Sequence, residues 1–470
     1  MTTQYSMLIG GRLVQAGATL DVLNPATEEV IAKAPDAGSK ELEMAVTAAR
    51  KAFKGWSATP IAERQALLKQ AGDVLSANVQ ELAALLTSEQ GKPLAAAVAE
   101  VQAGIGWFYF HSQASLPVLV SEDSDTRRVE THHVPLGVVC AISPWNFPVM
   151  LSVWKLTPAL VTGNTLVLKP SPFTPLTVLK IGELLKDVFP AGVLNIITGG
   201  DGLGPLMTSH AGFDKISFTG STATGRRVME SAAKSLKRVT LELGGNDAAI
   251  VLPDVDVAAV AERIFMGAFY NTAQVCTATK RLYIHESIYD QLRDHLAGIA
   301  KALKVGDGSE ADTILGPIQN RLQYQRVNKL IEDAKANHLT LIEGREVPKG
   351  RGYFIPVTLV DNPPDDARVV TEEAFGPVLP LLKYKTIDEA IERANASEYG
   401  LAGAVWGSNV AEALAVAARM ETGTVWINEN LYLPPMAPFA GHKQSGVGVE
   451  NGQDGLQEYT NAKTYYIPKK

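Results

Sequence analysis

The feature that most constrains this chain is a regular exchange of two hydrophobic periods between residues 137 and 242. Short β-branched runs at 137–143, 165–169, 193–197, 215–218 and 238–242 alternate with helical patterns at about 149–162, 174–187, 202–210 and 222–234. Strands buried on both faces read as continuous apolar runs, and parallel neighbours need a crossover long enough for a helix. The alternation therefore predicts an α/β fold built on a parallel sheet with helices on both faces. Ligands of such sheets sit outside the carboxyl ends of the strands. That rule singles out Pro144 to Pro148, Lys169-Pro170, Gly220-Ser221 and Glu242.

A second alternating block follows Gly244-Gly245, with strands near 248–252, 279–285, 356–360 and 378–383 and helices near 255–270, 286–303 and 320–336. Ahead of both blocks, Leu8 to Leu23 alternates apolar and turn residues, with Gly10-Gly11 as a hairpin signal. Leu42, Ala45, Val46, Ala49, Phe53 and Trp56 keep a helical period. Ser39 is the expected N-cap, with Glu41 and Glu43 in the first turn. Thr59-Pro60 is expected to open the next helix with proline at its first position. Helical pattern then runs to about Ser112, broken near Gly91-Lys92-Pro93. Residues 117–135 are polar and β-leaning, and 456–467 are again strand-like. The two are expected to pair as an exposed ribbon, and a ribbon edge of that kind is usually covered, here by another subunit.

At about 150 residues per domain, 470 residues suggest three units. The net charge of −7, with both signs interspersed, argues against a nucleic-acid partner. No apolar run approaches the ~18 residues of a membrane span, and MTTQYSMLIGGRLV lacks the form of a signal peptide. Two cysteines cannot frame a chain of this size, so a reducing cytoplasm is the expected compartment. Cys140 lies in the apolar run 137–142 and is expected to pack. Cys276 lies in a polar turn, Asn271 to Ala278, where a thiol can act as a nucleophile if its surroundings favour the thiolate.

Each strand-end segment carries a chemical possibility beside a structural one. Asn146, between Pro144 and Pro148, is either a cap in a rigid turn or a fixed donor to a developing oxyanion. Lys169 is a solvated lysine or a donor to ribose hydroxyls. Gly220 to Gly225 opens a helix and can approach a phosphate. It is not a P-loop, because Arg226-Arg227 stand where Lys and then Ser or Thr are needed. Burial of Glu242 at an apolar strand end would raise its pKa and suit it to general-base work. Glu373 and Phe375, beside Gly376-Pro377, are a capped loop or a carboxylate that holds a ribose diol.

Together PWNFP, LKP, FTGSTATG, LELGG, the cysteine turn, EEAFGP and PFAGHKQSG resemble the aldehyde dehydrogenase superfamily, in order and along nearly the whole chain. The resemblance implies a Rossmann-like cofactor domain (1–115 and 136–244), an α/β catalytic domain (245–444) and a small β oligomerisation ribbon (116–135 and 445–470). It implies NAD or NADP as coenzyme, no metal, and a homodimer or homotetramer. Cys276 would attack the aldehyde, Asn146 and the Cys276 amide would hold the oxyanion, and Glu242 would activate the water that hydrolyses the thioester. Lys169 would bind the adenosine ribose, Ser221 the pyrophosphate, and Glu373 and Phe375 the nicotinamide riboside. Ile142, Ser143, Trp145, Gly202, Gly220 and Leu243 would complete the cofactor cleft. Phe147, Leu151, Trp154, Val275, Thr277 and Phe439 would line the aldehyde tunnel.

Three departures from the family pattern carry consequences. Ala273 replaces a glycine and costs ~1 kcal/mol if the position needs φ > 0. Pro172 stands where NAD-preferring members often carry glutamate, which leaves the choice between NAD and NADP open. Asn246-Asp247 replaces a lysine-containing sequence. Members that act on succinate semialdehyde often have arginine where Trp154 stands, so an uncharged aliphatic or aromatic aldehyde is the expected substrate. An acidic semialdehyde is the alternative. A CoA-acylating enzyme would not need Glu242, and a silent structural protein would not need Cys276 with it.

Overall fold

The computed structural model describes residues 3–469, and its largest sheet is the predicted alternation. Arg238–Glu242, Lys215–Thr219, Val138–Ile142, Thr165–Lys169 and Leu194–Ile196 lie side by side in that order, all parallel. Their apolar runs are buried because helices cover both faces: Ser39–Ala58 on one, Pro148–Val161 and Leu176–Leu185 on the other. The chain leaves Val138–Ile142 toward one edge of the sheet, then crosses back to lay Lys215–Thr219 on its other side. The crevice beyond the carboxyl ends of those two strands is thus the topological switch point, where ligands of such sheets bind.

The hairpin Met7–Ile9 and Arg12–Val14 closes one edge of this sheet, and Gly446–Val447 closes the other, both antiparallel. Gly10 and Gly11 have φ of 60° and 79°, as a two-residue turn with both central residues left-handed requires. Gly446–Val447, expected with the ribbon, pair instead with Leu241 and Glu242. The predicted helix starts are displaced by one residue. Gly38 is the N-cap, its N–H donating to Glu41 Oε2 at 3.0 Å, and Ser39 is the first helical residue. Pro60 is a cap rather than the first helical position, because its ψ of 144° is extended and Ile61 begins the helix.

The second sheet has the order Thr340–Glu343, Thr358–Asp361, Val378–Tyr384, Arg281–His285, Ala248–Val251, Ala402–Trp406 and Thr424–Ile427. Only Thr340–Glu343 is antiparallel. Thr460–Pro468 pairs antiparallel with Arg127–Pro135, which pairs in turn with Leu119–Asp123, so the ribbon is a three-stranded sheet of its own. Leu456 falls in the short helix Gly452–Gln457, and the tail strand starts after it. No helix among the described residues is long and apolar enough to cross a membrane.

Candidate functional site

The thiol is carried by a strained turn. Helix Val257–Phe269 is followed by Asn271, Thr272 and Ala273 at φ of 53°, 57° and 59°. Three successive left-handed L residues cost about 1–2 kcal/mol each, and local hydrogen bonds offset that cost. Asn271 Nδ2 donates to the carbonyls of Asn146 (3.1 Å) and Gln274 (3.3 Å), and Thr272 Oγ1 donates to Gly316 O (2.9 Å). Gln274 Nε2 donates to Asn271 O (2.9 Å), while its Oε1 accepts from the Gln319 N–H (2.8 Å). Ala273 does occupy the φ > 0 position, so the cost anticipated for replacing glycine applies.

Beyond this turn Cys276 is half-buried and forms part of the wall of two cavities. One is an apolar chamber of about 240 Å³. All six predicted tunnel residues, Phe147, Leu151, Trp154, Val275, Thr277 and Phe439, line it, and so does Glu242. Trp154 packs between Trp107 and Phe439, at ring distances of 5.5 and 5.7 Å, and Phe147 stacks on Tyr270. The other cavity is the switch-point cleft, lined by Trp145, Asn146, Gly220, Ser221, Leu243, Glu373 and Phe375. Leu151 and Thr219 are also shared by both, which places the thiol at the partition.

Asn146 is buried, and its Nδ2 donates to Gln274 O at 3.0 Å, turning the amide toward the cysteine turn and leaving a second N–H available. Its backbone oxygen accepts from Lys92 Nζ at 2.9 Å. Lys92 is paired with Glu100 at 2.5 Å, with both side chains buried. The other oxygen of Glu100 accepts from the N–H groups of Val149 (2.9 Å) and Met150 (3.2 Å), the free donors at the start of helix Pro148–Val161.

Glu242 is buried at its strand end, and neither carboxylate oxygen has a hydrogen-bond partner among the described residues. Burial lifts its pKa well above the usual carboxylate range. Glu450 adds to the rise and Lys155 opposes it. Lys155 Nζ pairs with Glu450 Oε1 at 2.8 Å and donates to Ser217 Oγ at 3.1 Å, all within the core. Burial also pushes the Cys276 thiol up, to about 12, with Asp247, Glu242 and Glu373 adding to the rise and Lys280 opposing it. Of the charges around Cys276, only Lys280 favours the thiolate.

The cleft fits a dinucleotide by its donors. Ser221 caps helix Thr222–Ala233, so the free amides of that helix face the switch point. Gly225 allows close packing, since a Cβ there would meet Leu243 Cδ2 at 2.4 Å. Lys169 is buried rather than solvated, which pulls its pKa down to about 8, and Pro170 O at 3.3 Å is its acceptor. Gly202 caps helix Leu203–Ser209 beside Asp201, whose charge acts on Lys169; neither Gly202 nor Lys169 lines the central cleft. Glu373 Oε1 accepts from the Gly245 N–H at 3.2 Å. Phe375, at φ 49°, meets Trp145 edge-on at 5.4 Å. Ile142 ends its strand half-buried. Ser143 turns inward, its Oγ 2.8 Å from Ser152 Oγ, and neither it nor Ile142 lines the central cleft.

Sequence reasoning missed the charges behind the site: Lys92, Glu100, Lys155, Lys280 and Glu450. A lone lysine in the apolar run around Trp154 was the one available signal, because a buried ammonium requires a partner.

Comparison with known proteins agrees with this geometry. The sequence model of the aldehyde dehydrogenase family matches residues 13–465. Aldehyde dehydrogenase LUC3 of Fusarium sp is 39% identical over 469 residues, covering 99% of each chain. The mitochondrial aldehyde dehydrogenase of Leishmania tarentolae is 40% identical over 473 residues, 99% of this chain and 95% of its own. The NAD+ complex of an aldehyde dehydrogenase from Bacillus cereus superposes with a TM-score of 0.97 at 38% identity, covering 100% of this chain and 97% of that one.

Proposed function

Because the chain belongs to the aldehyde dehydrogenase family, we propose that it oxidises an uncharged aliphatic or aromatic aldehyde to the carboxylic acid through a covalent adduct on Cys276. The observation that carries this reading is the position of Cys276 on the partition between the apolar chamber and the switch-point cleft. In the proposed reaction the Cys276 S–H gives its proton to water in the cleft as Sγ forms a bond to the aldehyde carbon. The negative charge that develops on oxygen is taken by the free N–H of Asn146 and by the Cys276 amide. When bound, NAD or NADP supplies the two-electron acceptor for that carbon. The resulting thioester is hydrolysed by water that gives a proton to Glu242, the C–S bond breaks, and the thiol is restored. Burial raises the Glu242 pKa above the ordinary carboxylate value, the direction that makes it a stronger proton acceptor.

The substrate class rests on the chamber wall. Aromatic and aliphatic side chains dominate it, and no lysine or arginine is among its lining residues. A substrate carboxylate would therefore be desolvated there without a counter-charge, which is costly. Pro172 offers no carboxylate against a 2′-phosphate, and Lys169 can donate to either ribose, so both NAD and NADP fit the adenosine end. The eight-stranded sheet unit would hold the coenzyme, the seven-stranded unit the thiol, and the exposed ribbon would pair subunits into a dimer or tetramer.

The test is a panel of aldehydes with each coenzyme, followed by coenzyme absorbance. Hexanal or benzaldehyde is expected to give a higher kcat/KM than succinate semialdehyde, and the reverse order would refute the substrate class. Cys276→Ala is expected to abolish turnover while coenzyme binding persists. Full turnover in that variant would refute the covalent route.

A further inference from the structure

Lys280 closes the turn that carries the thiol. It is 5% exposed, and its Nζ donates to the carbonyl oxygens of Cys276 (2.6 Å), Val275 (3.1 Å) and Ala278 (3.2 Å). Three bonds are all an ammonium can donate. The same nitrogen stands 3.8 Å from Glu373 Oε1, the carboxylate assigned to the nicotinamide ribose. One cation thus touches both the nucleophile turn and the coenzyme site.

The contact with Val275 has a direct stereochemical consequence. The Val275 carbonyl and the Cys276 N–H belong to one planar trans peptide unit and point in opposite directions. Whatever fixes that carbonyl fixes the direction of the Cys276 N–H, which is one of the two proposed oxyanion donors. Such donors act through prior alignment, so a small rotation of the peptide plane reduces their effect.

Asp247, one of the departures from the family pattern, lies beside Lys280 in the second sheet. Ala248 pairs with Arg281 across adjacent parallel strands, which sets the preceding residues, Asp247 and Lys280, side by side. The Lys280 N–H donates to Asp247 O at 2.9 Å. Burial lifts the Asp247 carboxyl to about 7, and Lys280 is the strongest influence against that rise. The charged groups acting on Cys276 are Lys280, Asp247, Glu242 and Glu373, and Lys280 alone favours the thiolate.

We propose that Lys280 is a positioning residue for the reaction at Cys276: it aims the Cys276 N–H by holding the Val275 carbonyl, and its contact with Glu373 keeps that aim in register with the ribose site. The assignment rests on the thiol chemistry proposed above.

Two full-length variants test it, Lys280→Met, which removes donors and charge, and Lys280→Gln, which restores N–H donors without charge. The readouts are kcat, KM for coenzyme and the rate of Cys276 alkylation by iodoacetamide at one fixed alkaline pH. Lys280→Met is expected to lower kcat by about tenfold to a hundredfold, with a smaller change in KM. Alkylation is expected to slow by about tenfold in both variants, because the one charge that favours the thiolate is gone. Lys280→Gln should recover part of the lost kcat while keeping the slow alkylation. A kcat and an alkylation rate both unchanged in Lys280→Met would overturn the proposal, as would failure of both variants to fold, which would make Lys280 a folding group only. Wild-type enzyme that keeps turning over aldehyde after complete alkylation of Cys276 would instead refute the thiol reading itself.

Discussion

Glu100→Gln is the most informative single perturbation of the scaffold behind the site. Glu100 and Lys92 are paired at 2.5 Å with side chains 0% and 1% exposed, and Lys92 stands 3.9 Å from the Phe147 ring centroid. The glutamine oxygen can still accept from the Val149 and Met150 amides, so the helix cap survives in part. Its NH2 group, however, replaces an acceptor facing the ammonium and leaves a buried charge unpaired. Breaking a buried pair this way costs about 3–5 kcal/mol. Burial already pulls the Lys92 pKa down and Glu100 opposes that, so the variant lowers it further. Between its depressed folded pKa and the unfolded value of about 10.4, the unfolded chain binds more protons at Lys92, so stability rises with pH. The deficit of Glu100→Gln should thus be largest near neutral pH and shrink as the pH is raised toward 10. Urea unfolding monitored by tryptophan fluorescence measures the deficit, and hydrogen exchange at the Val149 and Met150 amides localises it. Glu100→Gln/Lys92→Met should recover most of the loss, because replacing both partners removes the stranded charge. A single variant within 1 kcal/mol of wild type, or a double variant no better than the single, would refute the account.

Two further outcomes follow from the thiol and its base. Glu242→Gln is expected to slow thioester hydrolysis by about 10²–10⁴, leave a burst of reduced coenzyme, and remove the rise of activity with pH; an unchanged steady-state rate would take Glu242 out of the reaction. The same variant should melt higher than wild type, increasingly so as pH rises. The raised pKa means that the folded state holds the Glu242 proton longer than the unfolded one, so wild-type stability falls as pH climbs above the ordinary carboxylate value. Ala273→Gly relieves left-handed strain of about 1–2 kcal/mol. Glycine's greater freedom in the unfolded chain, about 0.5–1 kcal/mol, and a lost buried methyl, about 0.8 kcal/mol, oppose that gain. The net change should stay within about 1 kcal/mol, and a urea midpoint showing a loss above about 2 kcal/mol would mean that the Ala273 methyl is a packing element.

How much of this was legible in the sequence depends on how local each signal is. The parallel strands and crossover helices of the first sheet were predicted nearly to their ends, because period and turn chemistry are written within a few residues. Ala402–Trp406 and Thr424–Ile427 were not predicted. The first is built largely from alanine and glycine, which have little β preference, and it is held as a strand by Ala248–Val251 on one side and Thr424–Ile427 on the other. Contact residues such as Trp154 and Phe439 were found through the family pattern, and the same reading placed Ser143 in the cleft although its hydroxyl bonds to Ser152 in the core.

The charges that hold those residues obey a different rule. Lys155 and Glu450 meet across 295 residues, and Lys92 reaches Asn146 across 54. No spacing in the chain encodes either meeting. Lys92 reads as part of a helix break at Gly91-Lys92-Pro93, and no motif marks Glu450. Each becomes necessary only once the fold has removed its partner from water, since an ionised side chain in the core must find an opposite charge or lose its own. The same condition explains why the turn at Asn271 to Ala273 can keep three left-handed residues. Its strain persists because Asn146 and the segment Gly316 to Gln319, two regions distant in the chain, hold its polar groups. The groups proposed to react can therefore be read from strand ends and short segments. The groups that aim them can be read only from which charges and carbonyls the fold leaves facing one another, and Lys280 is the place where that distinction is open to direct measurement.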